Sequence, residues 1–128
     1  MANPRVPEVV LVEDDAGLAQ ALTRTLELAG IAVVAYRSGE SLLEDGLCGE
    51  PLCLIIDIHL PGIDAFALLD RLAALGPVYP AILITAFDSQ GAREQASRVG
   101  VAAYLRKPFP SRALLEAIET IRAAKSAA

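Results

Sequence analysis

The chain is built of short apolar runs, each followed by a segment in which apolar residues return every three or four positions. The runs are Val9–Val12, Ile31–Ala35, Leu52–Asp57, Ala81–Thr85 and Val101–Leu105. They lack polar alternation, which suits strands covered on both faces in a parallel sheet. Leu18, Leu22, Thr25, Leu26 and Ala29 predict a first helix, capped by Asp15 and ended by Gly30. Ser38 opens a short helix carrying Leu42, Leu43 and Leu47, and Asp64 opens one with Ala65, Phe66, Leu68, Leu69 and Leu72 on its inner face. Asp88 or Ser89 opens a fourth, ended by Gly100. Its inner face of Ala92, Ala96 and Val99 is so thin that it is expected to be the loosest. Ser111 is expected to cap a last helix with Leu114, Leu115, Ile118 and Ile121 inward, and the tail from Ala123 fits a helix end or the root of a linker. Five strands alternating with five helices predict an α/β fold, a doubly wound parallel sheet in the order 2-1-3-4-5.

In that order the crevice opens at the carboxyl edge, between strands one and three. Glu13-Asp14 follow the first strand and Asp57 ends the third, with Pro61-Gly62 turning the chain soon after. Three carboxylates so close repel one another, and a divalent cation removes that cost. Oxygen-only donors favour a hard ion, and Mg²⁺ suits one or two carboxylates with waters and phosphate oxygens. Lys107 and Lys125 are the only lysines among eleven cationic residues. A lysine after the fifth strand is therefore not the chain's default cation, and its point charge can reach one phosphoryl oxygen in a tight pocket. Thr85 offers a hydroxyl beside the small Ala86. Together these groups read as a phosphorylation site with Asp57 as nucleophile, Mg²⁺ and Lys107 neutralising the phosphoryl group and Thr85 binding the product.

Composition narrows the setting. The 128 residues fit one domain, residues 1–128, and the 54% hydrophobic content comes in runs far short of a membrane span. The start has no apolar core of a secretory signal, so the protein is expected in the cytoplasm. Cys48 and Cys53 lack metal-ligand spacing and are expected to be buried thiols. A net charge of -5 and a pI near 4.8 argue against this domain binding nucleic acid or anionic membrane.

The apolar run ending Glu13-Asp14, the strand ending Asp57 before Leu60-Pro61-Gly62, Ile84-Thr85-Ala86, Tyr104 and Lys107-Pro108-Phe109 together resemble a response-regulator receiver domain of two-component signalling, over essentially the whole chain. The resemblance implies a flavodoxin-like fold and a phosphoprotein of a phosphorelay, with Asp57 taking a phosphoryl group from a histidine kinase or phosphotransfer protein. It implies that Glu13, Asp14 and Asp57 hold Mg²⁺ with the backbone carbonyl of His59, and that Lys107-Pro108 is cis. It also implies that Thr85 and Tyr104 form a switch pair acting on the surface of helix four, strand five and helix five, with a phosphorylation-dependent homodimer as one readout. Such a domain is not an enzyme beyond its own phosphorylation and dephosphorylation, and it can be the N-terminal module of a longer regulator. Two departures stand out: Ala65 replaces a common glycine, and His59 with Phe87 makes a bulky pair at the rim able to screen an acyl phosphate from water. The competing reading from the residues is a Mg²⁺-dependent phosphohydrolase with an aspartyl nucleophile and His59 as acid or base. A flavin or nucleotide module lacks its phosphate loop here, and a phosphorylation-independent adaptor fits poorly with an intact set of acids, Thr and Lys.

Overall fold

The computed structural model of the protein describes residues 7–47 and 49–127, so the expectation for Cys48 lies outside the described residues. Strands and helices alternate as β1 (Val9–Val12), α1 (Ala16–Leu28), β2 (Val33–Tyr36), α2 (Gly39–Asp45), β3 (Cys53–Asp57), α3 (Ala65–Leu75), β4 (Ala81–Thr85), α4 (Gln90–Val99), β5 (Ala103–Arg106) and α5 (Ser111–Ala127). The sheet is parallel throughout and ordered β2-β1-β3-β4-β5, as the pattern predicts.

Side chains alternate across a strand, so each strand feeds two cores. Val9, Leu11, Cys53, Ile55, Ile82 and Ile84 pack under Leu22 and Leu26 of α1 and Leu114 and Ile118 of α5. Val10, Val12, Leu54, Ile56 and Leu83 pack on the other face against Leu42, Leu68, Leu72 and Ala96. Every position of β1, β3 and β4 is buried, which is why these strands read as unbroken apolar runs. Each such Leu or Ile contributes about 1.5–3 kcal/mol relative to leaving it in water.

Asp15, Ser38, Asp64 and Ser89 cap their helices, accepting from the backbone N–H of Leu18, Ser41, Ala67 and Ala92. Ser89, not Asp88, is thus the cap of α4. Ser111 is the first residue of α5 rather than its cap, and the Pro110 carbonyl before it accepts from Ala113 N–H at 2.9 Å. The helix continues through Ala127, so the tail is helical over that range.

The edge strands begin two residues later than their apolar runs. Gly30 (φ 82°) and Gly100 (φ 81°) end α1 and α4 in the left-handed region. The next N–H groups, of Ile31 and Val101, turn back to the carbonyls of Leu26 and Ala96 at 2.9 and 3.2 Å. These apolar residues therefore belong to helix-ending turns, where Ile31 is buried and Val101 packs on the core. Val101 takes the place expected of Val99, which is 51% exposed. Ala29, also expected inward, is exposed at the helix end. Leu47 lies past the end of α2 but still packs on the core. Only Ala96 of α4 is buried, so the thin inner face is real. No helix among the described residues is long and apolar enough to cross a membrane.

Candidate functional site

The strand alternation decides which residues meet at the carboxyl edge. Glu13, Asp57 and Lys107 each continue the alternating set that faces α1 and α5, two residues beyond Leu11, Ile55 and Leu105. Thr85 and Tyr104 belong to the opposite face, with Leu83. The acids and the lysine thus converge on one side of the strand ends, while Thr85 and Tyr104 face the layer of α2, α3 and α4.

The convergence is tight. Lys107 Nζ donates to Glu13 Oε1 and to Asp57 Oδ2, both at 2.8 Å. Carboxylate oxygens of Glu13, Asp14 and Asp57 all lie within 4.8 Å of one another. Glu13 and Asp57 are buried and Asp14 is exposed, so the cluster opens to solvent on one side. The second oxygens are also held: Asp57 Oδ1 accepts from His59 N–H at 2.9 Å, and Glu13 Oε2 from Asp15 N–H at 3.2 Å.

Burial pushes the Glu13 carboxyl up to about 7, outweighing the Lys107 and Asp15 hydrogen bonds that pull it down, with the Asp57 charge adding to the rise. Burial works against the Lys107 ammonium, but its bonds to Asp57 and Glu13 prevail and hold its pKa above the ordinary lysine value. One ammonium faces three acids, so the site carries excess negative charge. The donors are all hard oxygens on an open-sided cluster, a set that fits a small hard divalent cation.

Thr85 is fully buried, and its Oγ1 accepts from Phe87 N–H at 3.0 Å. The His59 imidazole turns to the Phe87 carbonyl, with Nε2 3.4 Å from that oxygen, and its ring meets the Phe87 ring edge-on at 5.5 Å. His59 and Phe87 therefore do form a contacting pair. Tyr104 does not touch Thr85 through any hydrogen bond seen here; its hydroxyl donates to Asp88 Oδ1 at 2.9 Å. The Lys107-Pro108 peptide is cis.

Two acids near the site escaped sequence reasoning. Asp88, read only as a cap, instead binds Tyr104 and Arg93. Glu40 of α2 accepts from Ile63 N–H at 2.9 Å in the turn after β3. Neither spacing carries a signal in the chain, because Tyr104 and Ile63 arrive through the fold and Asp88 with Arg93, five apart, matches no helical pairing; the one hint for Glu40 was the glycine at position 62, which holds φ 73° with Glu40 packed against it.

Comparison with known proteins gives the arrangement its context. The family model described as the response regulator receiver domain matches residues 9–119. The response regulator protein FleR of Pseudomonas aeruginosa is 41% identical over 112 residues, which cover 87% of this chain and 24% of FleR. The transcriptional regulatory protein CreB of Escherichia coli is 33% identical over 113 residues, 88% of this chain and 49% of CreB. The chain thus spans only 24% and 49% of the lengths of these two relatives. A solved response regulator receiver protein from Burkholderia phymatum is 38% identical, with a TM-score of 0.76 over 90% of this chain and 94% of that one. A CheY-like receiver domain from Methanospirillum hungatei, 24% identical, shares the fold with a TM-score of 0.85 over 97% of this chain and 100% of that one. With its fold, its acidic pocket and a family match over most of its length, the chain belongs to the response regulator receiver domains.

Proposed function

We propose that this receiver domain takes a phosphoryl group on Asp57 from a partner histidine kinase or phosphotransfer protein and changes its α4–β5–α5 surface to control an output. The observation that carries the reading is the Lys107 ammonium set 2.8 Å from both Asp57 and Glu13 at the mouth of the sheet. An Asp57 oxygen attacks phosphorus, the bond from phosphorus to the donor's imidazole nitrogen breaks, and the imidazole leaves with the electron pair. Lys107 follows the charge to the phosphoryl oxygens. Glu13, Asp14 and Asp57, with the His59 carbonyl, would hold Mg²⁺, which supplies positive charge to those oxygens. Thr85 donates its hydroxyl to the product, and Tyr104 answers it.

The domain on this reading catalyses only its own phosphorylation and dephosphorylation. A phosphohydrolase would need His59 as acid or base over Asp57, whereas the imidazole is engaged with Phe87. The proposal includes a cytoplasmic setting, residues 1–128 as one receiver module serving a longer regulator or a separate target, and a homodimer formed on phosphorylation. Intact-mass measurement with acetyl phosphate and Mg²⁺ tests it: one phosphoryl group is expected on the protein and none on Asp57→Asn. Labelling that persists unchanged in that variant overturns the assignment.

A further inference from the structure

Asp88 stands three residues after Thr85, in the loop between β4 and α4, and its carboxylate is gathered by side chains from two other elements. From β5, the Tyr104 hydroxyl donates to Oδ1 at 2.9 Å and the Arg106 guanidinium lies 3.9 Å from Oδ2. From α4, Arg93 Nε donates to Oδ1 at 2.8 Å while its terminal nitrogen pairs with Oδ2. Capping does not require any of this, because Ser89 already caps α4. The side chain of Asp88 keeps 13% of its surface exposed, against 61% for Arg93. The Arg93 hydrogen bond holds the Asp88 carboxyl below its ordinary value, and burial with the Asp88 bond holds the Tyr104 phenol above its own. The pair is thus fixed as an ionised acceptor and a protonated donor.

We propose that Asp88 is a positioning residue that pins the Tyr104 ring in its resting place, so that phosphorylation of Asp57 is read out against the Asp88–Tyr104 bond. The inference rests on the phosphorylation reading above and adds to it the group that sets the resting bias. The connection to the site is one short turn. Thr85 Oγ1 accepts from Phe87 N–H, the amide immediately before Asp88. When Thr85 turns its hydroxyl to a phosphoryl oxygen, that acceptor is withdrawn and the turn carrying Asp88 is released. Arg93 follows Asp88, since α4 begins two residues after Asp88 and carries Arg93 in its first turns, whereas Tyr104 is on β5 and loses its bond. A contact present only in the resting arrangement weakens phosphoryl binding by the factor its removal restores.

Beryllofluoride, a non-covalent phosphoryl mimic, tests this with Mg²⁺ present and binding followed by calorimetry. Asp88→Ala and Tyr104→Phe are each expected to bind it about fivefold tighter than the parent protein, the scale of one hydrogen bond. The double variant is expected to gain no more than Tyr104→Phe alone through the latch, because the Asp88–Tyr104 bond is the one contact that both substitutions remove. Asp88→Asn keeps an acceptor oxygen for Tyr104 and is expected to stay near the parent affinity, a rescue that a general loss of packing would not show. Tyr104→Phe keeps the ring and the fold should Asp88→Ala prove unstable. Unchanged affinity in Tyr104→Phe, or additive gains in the double variant, overturns the latch while leaving the phosphorylation reading intact. A parent protein that binds no beryllofluoride overturns both.

Discussion

Lys107 Nζ donates to Asp57 Oδ2 at 2.8 Å although fifty residues of chain separate the two. The same nitrogen holds Glu13, so removing it leaves buried acids facing one another without a counter-charge. Lys107→Ala is expected to slow labelling of Asp57 by acetyl phosphate about a hundredfold, the scale of one lost donor at a charged transition state. It is also expected to gain more thermal stability from Mg²⁺ than the parent does, since the cation then has all the repulsion to relieve. Time-resolved intact mass and thermal unfolding check the two arms, and labelling at the parent rate would exclude Lys107 from the chemistry.

The turn after Asp57 is clamped from α2. A Cβ at Gly62 would lie 2.0 Å from Glu40 Oε2, on a backbone already at φ 73°. Gly62→Ala therefore adds left-handed strain of about 1–2 kcal/mol and also displaces the carboxylate that accepts from Ile63 N–H. Glu40→Ala loses the hydrogen bond from Ile63 N–H without adding backbone strain and is expected to cost less than Gly62→Ala. Urea unfolding gives both values, and because the two substitutions share one contact the double variant should fall short of their sum.

How far the chain could be read depends on what each residue answers to. The central strands and the acids at their ends were legible because burial on both faces leaves unbroken apolar runs, and the polar residue that ends such a run stands out. Asp57 and Glu13 are of that kind. Ile31 and Val101 misled because a helix-ending turn also wants an apolar residue, and nothing local separates it from the strand that follows. Val99 misled for the same reason: its expected place is filled by Val101 from beyond the glycine. Asp88 and Glu40 were invisible as partners because polar contacts between elements follow tertiary geometry, not periodicity.

Burial of Cys53 in β3 pushes its thiol up to about 12. The thiolate is disfavoured only in the folded state, so the folded pKa lies above the unfolded value near 9. The contribution is complete below about 9 and is lost as pH rises from there toward 12, at up to about 1.4 kcal/mol per pH unit. Between pH 8 and pH 10 the protein should thus lose more thermal stability than Cys53→Ala, once the two are compared with their own values at pH 7. Equal losses in both would mean that Cys53 ionises in the folded state as easily as in the unfolded chain. Peptide mapping after alkylation at neutral pH should leave Cys53 unmodified.

His59 and Phe87 carry a ring pair on the two loops whose backbones also hold Asp57 and Thr85. His59 N–H binds Asp57 Oδ1 and Phe87 N–H binds Thr85 Oγ1, while the imidazole and phenyl rings meet at an interplanar angle of 79°. Phe87 is 72% exposed, an apolar ring left in water without any core to fill. A cover at this place limits the approach of water to an acyl phosphate, whose hydrolysis needs a water in line with the bond that breaks. Phe87→Ala and His59→Ala keep the backbone donors and remove the rings. Each is expected to shorten the lifetime of phosphorylated Asp57 several-fold without changing how much label is first taken up. Because the rings brace one another, the double variant should lose little more than either single one. The decay of the phosphorylated mass after removal of donor measures this directly, and a lifetime unaltered in both single variants would mean that water reaches Asp57 by another side.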